Sequence, residues 1–498
     1  RAALKLWDRV LRLGGATADV LRFTGDALVA VGEYAQALGA YRNGLGLDDG
    51  RADFHHGLGR ALYRLGETDE AARELETAIG LGAGLASWLS LSAILPGCPG
   101  ADARRVLEVR SACASVLAEA FGPIPADTTR RARRSGPVHV GYISAFFDRE
   151  NYMKPVWGLL NGHDRSAVRV HLFSDVPVEP RWPGYERHPE DCVHGTGALD
   201  DDALAVLVEE SGLDVLVDLN GYSVPERLAF FLSRRAPVTL SWFNAFATSG
   251  LPGLEYVVGD EEVVEPGDEA AFTETVLRLP VSYLAFRPDP LAPPVVPPPC
   301  LGNGFLTFGS LVSQYKVTPG VLDAWAAILL RAPGARLLLG NSALGPAENR
   351  RWLAARFGER GVAPDRLDLL GPAEHGAFLA RYDRIDVALD AFPYSGGTTT
   401  MEAIWQGVPV VTFGGDRWAS RTSRTLLARS HLSGFVVDDA AAMVEKAAAL
   451  AASAGTPALL AELRSGMRAR LSSEGACDTA GLARGMESLY RELRAGAA

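Results

Sequence analysis

Between Ile385 and Phe413 the chain reads IDVALDAFPYSGGTTTMEAIWQGVPVVTF, a grouping of residues suited to a phosphorylated ligand. Gly396 and Gly397 allow a ligand to approach the backbone closely. Thr398 and Thr399 then place hydroxyls and N–H groups at the start of a helix, where the dipole favours an anion. Glu402 follows Thr398 by four residues and falls on the same helix face one turn deeper. An anion site beside a carboxylate suits a nucleotide, the N–H groups taking a diphosphate and the carboxylate the ribose hydroxyls. The same pattern fits an ordinary βαβ turn with a threonine cap, and the residues alone do not separate the two.

The elements that must hold this loop are also legible. Ile385, Val387 and Leu389 predict a short strand closed by Asp390 and Pro393. A helix over Met401 to Gln406 stops at Gly407 and Pro409, before a strand at Val410-Val411. Upstream, VHVGYISAFF, VRVHLFSD, LDVLVDLNGY, APVTLSWFN and EYVVGD read as strands spaced by helix-length segments, such as Asp201 to Ser211. After them, seven prolines in the thirteen residues Pro288 to Cys300 predict an extended linker. The rhythm restarts with GFLTFGSLV, ARLLLG and RLDLLG, and alanine-rich helices close the chain. Such alternation predicts parallel, doubly wound sheets on either side of the linker.

Residues 17–84 hold two copies of a 34-residue unit, the period of a tetratricopeptide repeat. Gly25-Asp26-Ala27-Leu28 aligns with Gly59-Arg60-Ala61-Leu62, Gly32-Glu33-Tyr34 with Gly66-Glu67-Thr68, and Ala37 with Ala71. Two repeats are few for a free-standing solenoid, so the array either packs on the next domain as a cap or binds a peptide in its groove. A further helix over Ala103 to Ala120 leads out of it.

Composition narrows the function. Among 498 residues, 48% are hydrophobic and 22% charged, as expected of a globular protein of two or three domains. A net charge of −11 leaves no excess of cations for phosphate backbones, which argues against a nucleic-acid binder. The basic run Arg130 to Arg134 reads as a solvated linker. Five scattered cysteines without CxxC spacing predict neither a disulfide framework nor a zinc site, and suit a reducing cytoplasm. No apolar run reaches the length of a membrane span. The first residue is Arg1 rather than Met, which leaves room for a preceding segment.

GGTTTMEAIWQGVPVVT resembles the nucleotide-sugar loop of the O-GlcNAc transferase family, written in its members as G-G/H-T-T-x-x-[DE]-A-L-W-x-G-x-P-V-V-T. VGYISAFF, LVDLNGYS, APVTLSWFNAFATSG and FGSLVSQYK resemble that family's other blocks in the same order, over nearly all of residues 136–440. The resemblance, to a bacterial-type member divergent in its acceptor-side loops, implies an α/β chain with an all-α N-terminal part. Tetratricopeptide-like repeats (1–134) would precede a GT-B fold of two Rossmann-like domains, an acceptor-side one (135–287) and a nucleotide-sugar one (301–498), joined by the linker 288–300. Substrate would bind in the cleft between the halves.

By the same resemblance, Lys316 in FGSLVSQYK holds the donor diphosphate, with Ser313 in the same motif; a fixed cation there offsets the charge of the leaving group without a metal. His375 in GPAEHG would lie near the base or phosphate, and Arg421 in ASRTSR near the cleft, although an arginine there also suits a salt bridge within its helix. Asn220, Gly221 and Tyr222 would sit at a strand's carboxyl end, and Thr248-Ser249 in a loop touching the donor sugar or phosphates. Two departures stand out. Glu150 occupies the place of a first-loop histidine considered for base or acceptor contacts, with Lys154 nearby, and Asn244-Ala245-Phe246-Ala247 replaces G-Y-P-G. Glu150 is therefore the expected base, with Asp148 or the donor's own phosphate as other proton acceptors.

The expectation is a cytoplasmic, metal-independent inverting glycosyltransferase that moves a sugar, GlcNAc by resemblance, from a UDP-sugar to a Ser or Thr hydroxyl of a protein or peptide recruited through the repeats. Two other readings fit the same residues. One keeps the donor but changes the acceptor to Asn, a glycan or a small metabolite. The other is a non-catalytic repeat scaffold with a degenerate transferase half.

Overall fold

A computed structural model describes residues 17–122, 135–179, 181–473 and 475–496. The basic run at 130–134 lies outside them. The chain forms two compact units, each discontinuous in sequence.

One unit comprises Asp102–Pro290, Arg417–Ser433 and the residues from Ala469 on. Its sheet is built from β1 (Val138–Ser144), β2 (Val168–Ser174), β3 (Cys192–Gly195), β4 (Val215–Asp218), β5 (Val238–Ser241), β6 (Tyr256–Asp260) and β7 (Thr275–Leu279). The order is β3-β2-β1-β4-β5-β6-β7, and every pairing is parallel, with Val140 of β1 opposite both Val170 and Val215. Sheets of this kind are covered on both faces, so their inner strands read as nearly unbroken apolar runs; β4 and β5 are buried throughout. The edge strands β3 (CVHG) and β7 (TVLRL) are half-exposed and lack that signature, and the expected series omits both.

Helix Ala103–Phe121 starts this unit, where the repeat region was expected to run on to residue 134. Two C-terminal helices, expected with the second sheet, return to it as well. In helix Trp418–Ala428, the Thr425 hydroxyl donates to Asp260 at the end of β6 (2.8 Å). In helix Thr479–Gly496, Tyr490 meets the Tyr142 hydroxyl of β1 at 3.0 Å, and Glu487 lies 3.0 Å from His163 Nδ1. A domain boundary cut at the linker misses these returns, because nothing in an amphipathic helix states which sheet its apolar face covers.

The other unit holds the described residues up to Ala101, with Leu291–Asp416 and Gly434–Arg468. Helix pairs Ala18–Ala30/Tyr34–Leu45 and Ala52–Leu65/Thr68–Gly80 are the two repeats, followed by helix Leu85–Ile94. Small residues bring the helices together. A Cβ on Gly25 would lie 2.5 Å from the Tyr41 ring, and one on Gly44 2.1 Å from Phe54. Its sheet comprises β8 (Thr307–Ser310), β9 (Arg336–Gly340), β10 (Leu367–Leu370), β11 (Val387–Leu389), β12 (Val410–Phe413) and β13 (Val436–Val437). The order is β10-β9-β8-β11-β12-β13, again all parallel. The proline-rich segment forms neither helix nor strand up to Pro299, and Arg468 donates to its Pro293 carbonyl at 2.6 Å.

Within this unit the repeats rest directly on the second sheet's layer. Asn349, 1% exposed, donates to the Gly32 carbonyl (2.8 Å) and accepts from the Ala35 N–H (3.0 Å). Arg356 pairs with Glu67 at 3.1 Å.

Candidate active site

In an open parallel sheet a ligand site forms at the carboxyl edge where strand order reverses. In the second sheet that point lies between β8 and β11. The loop after β8 carries Ser313 and Lys316, and the loop after β11 carries Asp390 to Gly397.

Lys316 closes a 3-10 turn, Gln314–Lys316, that anchors on the exposed Ser313: Lys316 N–H donates to the Ser313 carbonyl at 3.0 Å. Its ammonium donates to the Ser395 carbonyl (2.7 Å) and lies 3.9 Å from the centre of the Tyr394 ring. Protein surrounds the charge and pushes the lysine pKa down to about 8, against the opposing pull of Asp390. Asp390 is 2% exposed. It accepts from the Ala391 N–H (2.9 Å), the Gly396 N–H (2.8 Å) and the Thr412 hydroxyl (2.7 Å), and so fixes the curve of the loop.

A Cβ on Gly396 would come 2.3 Å from the Thr400 hydroxyl oxygen, so glycine is required there. The helix beyond starts at Thr398 and runs to Trp405. Thr398 and Thr399 therefore form its first turn. Gly397 at the N-cap supplies no side-chain bond, leaving first-turn N–H groups without a helical acceptor. Glu402 is buried at 6% exposure, and His375 Nε2, at the head of helix His375–Leu379, lies 3.6 Å from its carboxylate. Tyr382 braces the turn by donating to the Thr399 carbonyl (2.8 Å). Lys316, Ser313, His375, Gly396, Gly397, Thr398, Thr399 and Glu402 thus belong to one unit, on loops around one switch point. Asp390 and Tyr394 were not singled out from sequence. A carboxylate at the very end of an apolar strand was the available signal for the first.

Arg421 is in the other unit, on helix Trp418–Ala428. Its guanidinium is 4% exposed and is spent on Asp268, on Glu265 (3.4 Å) and on the Val263 carbonyl (3.4 Å). These acidic partners lie in the segment between β6 and β7 and not in its own helix, so the expected salt bridge within the helix is not what holds it.

The first sheet has its own switch point, between β1 and β4. Asp218 ends β4 and accepts from the Asn220 and Gly221 N–H groups (2.9 and 3.0 Å); burial raises its pKa to about 6, opposed by those bonds. Asn220, 1% exposed, accepts from the Ala145 N–H across the switch point (2.9 Å), while its Nδ2 meets no acceptor among the described residues. Gly221 has φ +49, and a Cβ there would lie 2.8 Å from the Asn244 carbonyl. Tyr222 donates to the Ser249 carbonyl (2.8 Å) beneath the Arg110 guanidinium (4.0 Å). Thr248 donates to Glu274 (2.6 Å), which also accepts the Ser249 N–H (2.5 Å).

Glu150 is exposed on the turn after β1, and Lys154 is buried at the start of helix Lys154–Gly162. Both line a pocket of about 270 Å³ with Trp157, Tyr185, Glu186 and Arg287. In the divergent loop, Phe243 and Phe246 hold left-handed backbone (φ 71 and 49), which side chains other than glycine adopt at a cost.

Among the described residues no helix is long and apolar enough to cross a membrane, and no His, Cys, Asp and Glu grouping is arranged to hold a metal ion. Tetratricopeptide-like helices followed by two Rossmann-like sheets, the second with an anion-ready loop pair at its switch point, define a GT-B protein. The model of glycosyl transferase family 41 matches residues 123–285 and 300–474, and a tetratricopeptide-repeat model matches 28–95. The chain belongs to glycosyl transferase family 41.

It is 33% identical, over 72% of its length, to a rice (Oryza sativa subsp. japonica) protein named as a probable UDP-N-acetylglucosamine–peptide N-acetylglucosaminyltransferase, SPINDLY, of which 39% is covered. A second such protein, SEC of Arabidopsis thaliana, is 26% identical over 68% of the chain and 36% of its own length. The chain thus spans about two fifths of the length of these curated relatives. A solved structure of a mutant O-GlcNAc transferase from Thermobaculum terrenum superposes with a TM-score of 0.85 at 32% identity, covering 100% of this chain and 95% of that one.

Proposed function

We propose that this chain is an inverting glycosyltransferase that moves a sugar, N-acetylglucosamine in our reading, from a UDP-sugar to a serine or threonine hydroxyl of a protein or peptide. The observation that carries the reading is Lys316, an ammonium fixed at the second sheet's switch point beside a helix N-terminus. In the reaction the acceptor oxygen bonds to the anomeric carbon as that carbon's bond to the diphosphate breaks, and the diphosphate leaves with the electron pair. Lys316 and the first-turn N–H groups of Thr398 and Thr399 offset the charge that develops. Gly396 and Gly397 admit the phosphates, Glu402 accepts from the ribose hydroxyls, and His375 contacts base or phosphate. This compensation needs no bound metal ion.

The acceptor's proton passes to Glu150 or to the donor's own phosphate. Asn220, Gly221, Tyr222 and Lys154 serve the acceptor side, and the repeats receive the peptide. The names carried by the rice and Thermobaculum terrenum relatives support the donor and the acceptor class. Five free thiols suit a reducing cytoplasm. A second reading, the same donor with another acceptor, is favoured by the left-handed Phe243 and Phe246 in the divergent loop.

The test is a panel of UDP- and GDP-linked sugars offered with peptide, protein and glycan acceptors, read by mass spectrometry. Addition of N-acetylhexosamine to serine or threonine from UDP-N-acetylglucosamine is expected. Modification only of another acceptor would select the second reading, and no transfer from any donor would overturn both.

A further inference from the structure

The 3-10 turn that carries Lys316 is also the surface on which the second repeat sits. Gly66, just past helix Ala52–Leu65, has φ +95, and a Cβ there would lie 2.2 Å from the Val317 carbonyl, one residue beyond the lysine. Gln314, first residue of the turn and 2% exposed, donates to the Leu65 carbonyl (3.3 Å). Tyr63 of the same helix stacks on Tyr315, with centroids 5.0 Å apart and planes at 20°. Tyr315 meets Tyr394 at 6.0 Å, and the Lys316 ammonium rests on the Tyr394 ring. From the other side, the turn after helix Leu85–Ile94 brings Gly97 against Tyr394, where a Cβ would come within 3.2 Å. The rings that border the lysine are therefore clamped by two separate points of the helical repeats.

We infer that Tyr63 is a positioning residue for Lys316: the second repeat sets the place and the surroundings of the ammonium through the row of rings Tyr63–Tyr315–Tyr394, the first pair stacked and the second tilted at 51°. Closely packed rings cannot slide without opening gaps, so they hold the turn in place. The other charged group acting on the ammonium is Asp390, on its own loop and independent of the repeats. Removing the Tyr63 ring leaves Asp390 in place and admits water to Tyr315 and the lysine. A residue of the second repeat's first helix thus has a task at the donor site. Its link to catalysis rests on the function proposed above, whereas its effect on Lys316 does not.

The test uses the full chain with Tyr63→Ala and the ring-retaining Tyr63→Phe. Acylation of Lys316 by an amine-reactive reagent is followed against pH by peptide mass spectrometry, alongside turnover and acceptor KM. Wild type and Tyr63→Phe should titrate near the same pH, and Tyr63→Ala higher by roughly one pH unit or more, as burial is relieved. Turnover of Tyr63→Ala should fall about tenfold with acceptor KM unchanged, and Tyr63→Phe should retain it. A folded Tyr63→Ala protein whose Lys316 titrates and turns over as in wild type would sink the inference, even if its melting temperature fell. Should Tyr63→Ala not fold, Tyr63→Leu fills the space without a ring and is read by the same outcomes. If wild type transfers no sugar, a shifted titration still supports the positioning and only the proposed activity fails.

Discussion

At the scale of single residues, the donor roles proposed for Lys316 and Glu402 can be tested separately. Loss of one charge-stabilising donor costs about 10²–10³ in turnover, so Lys316→Ala should fall by that factor with weaker UDP binding. The lysine must stay protonated to act, and its pKa is held near 8. The wild-type kcat/KM for the donor should therefore drop as pH rises through about 8, and that limb should vanish in the variant's residual activity. Glu402 is buried beside His375. Glu402→Ala should weaken UDP binding by about 1.5–3 kcal/mol in calorimetry, the scale of hydrogen bonds to a charged group. A deoxyribose analogue should lose less; equal losses would give the carboxylate another task. Glu150 is exposed, and its part is read from a pH–rate profile with saturating donor. As the base, Glu150→Gln should lower turnover sharply and erase the acidic limb while UDP binding holds. A wild-type rate in that variant would assign the proton to the phosphate.

At the scale of elements, buried carboxylates at strand ends shape the loops of both sheets: Asp218 after β4 and Asp390 after β11. Asp218 titrates near 6 in the folded chain against an ordinary 3.8, so the native state binds its proton more tightly than the unfolded state. Its contribution is fully present below about 4 and is lost as pH rises to about 6, a swing on the order of 2–3 kcal/mol. The difference in stability between wild type and Asp218→Asn, measured by denaturant unfolding, should change across that window and be flat above it. A constant difference would mean that the carboxyl is not buried in its acidic form. Such strand ends explain what sequence shows and hides. Inner strands β1, β4, β8 and β9 announce themselves as apolar runs. Of the edge strands, β10 was legible as RLDLLG, whereas β3 and β7 are half-exposed and mixed in composition and β13 is only two residues long. The loop glycines and threonines after β11 were legible because their chemistry is local. Asp390 acts through bonds to residues up to twenty-two positions away, which no spacing displays.

At the scale of the molecule, the repeats pose the open choice left by the sequence, a peptide groove or a structural cap. The 34-residue period was plain in Gly25/Gly59 and Gly32/Gly66, but the partner of its outer face was not, since Gly66 looks like any helix stop until the Val317 carbonyl is seen against it. A chain lacking residues 1–101 would strip Asn349 of its bonds to Gly32 and Ala35, and Gln314 of its bond to Leu65, all at buried side chains. Water takes over each bond once the surface is uncovered, a net loss of about 0.5–1.5 kcal/mol apiece, to which the bared rings of Tyr315 and Tyr394 add. At 2–4 °C per kcal/mol for domains of this size, the melting temperature should fall by on the order of 10 °C or more. UDP affinity should fall with it, because the Lys316 turn loses its support. A peptide groove alone predicts the opposite pattern: a stable truncated chain with unchanged UDP affinity and a raised KM for protein acceptors only. Thermal unfolding and calorimetry on the truncated chain separate the two, and a soluble product that melts and binds UDP as the full chain does would deny the repeats any structural share in the donor site.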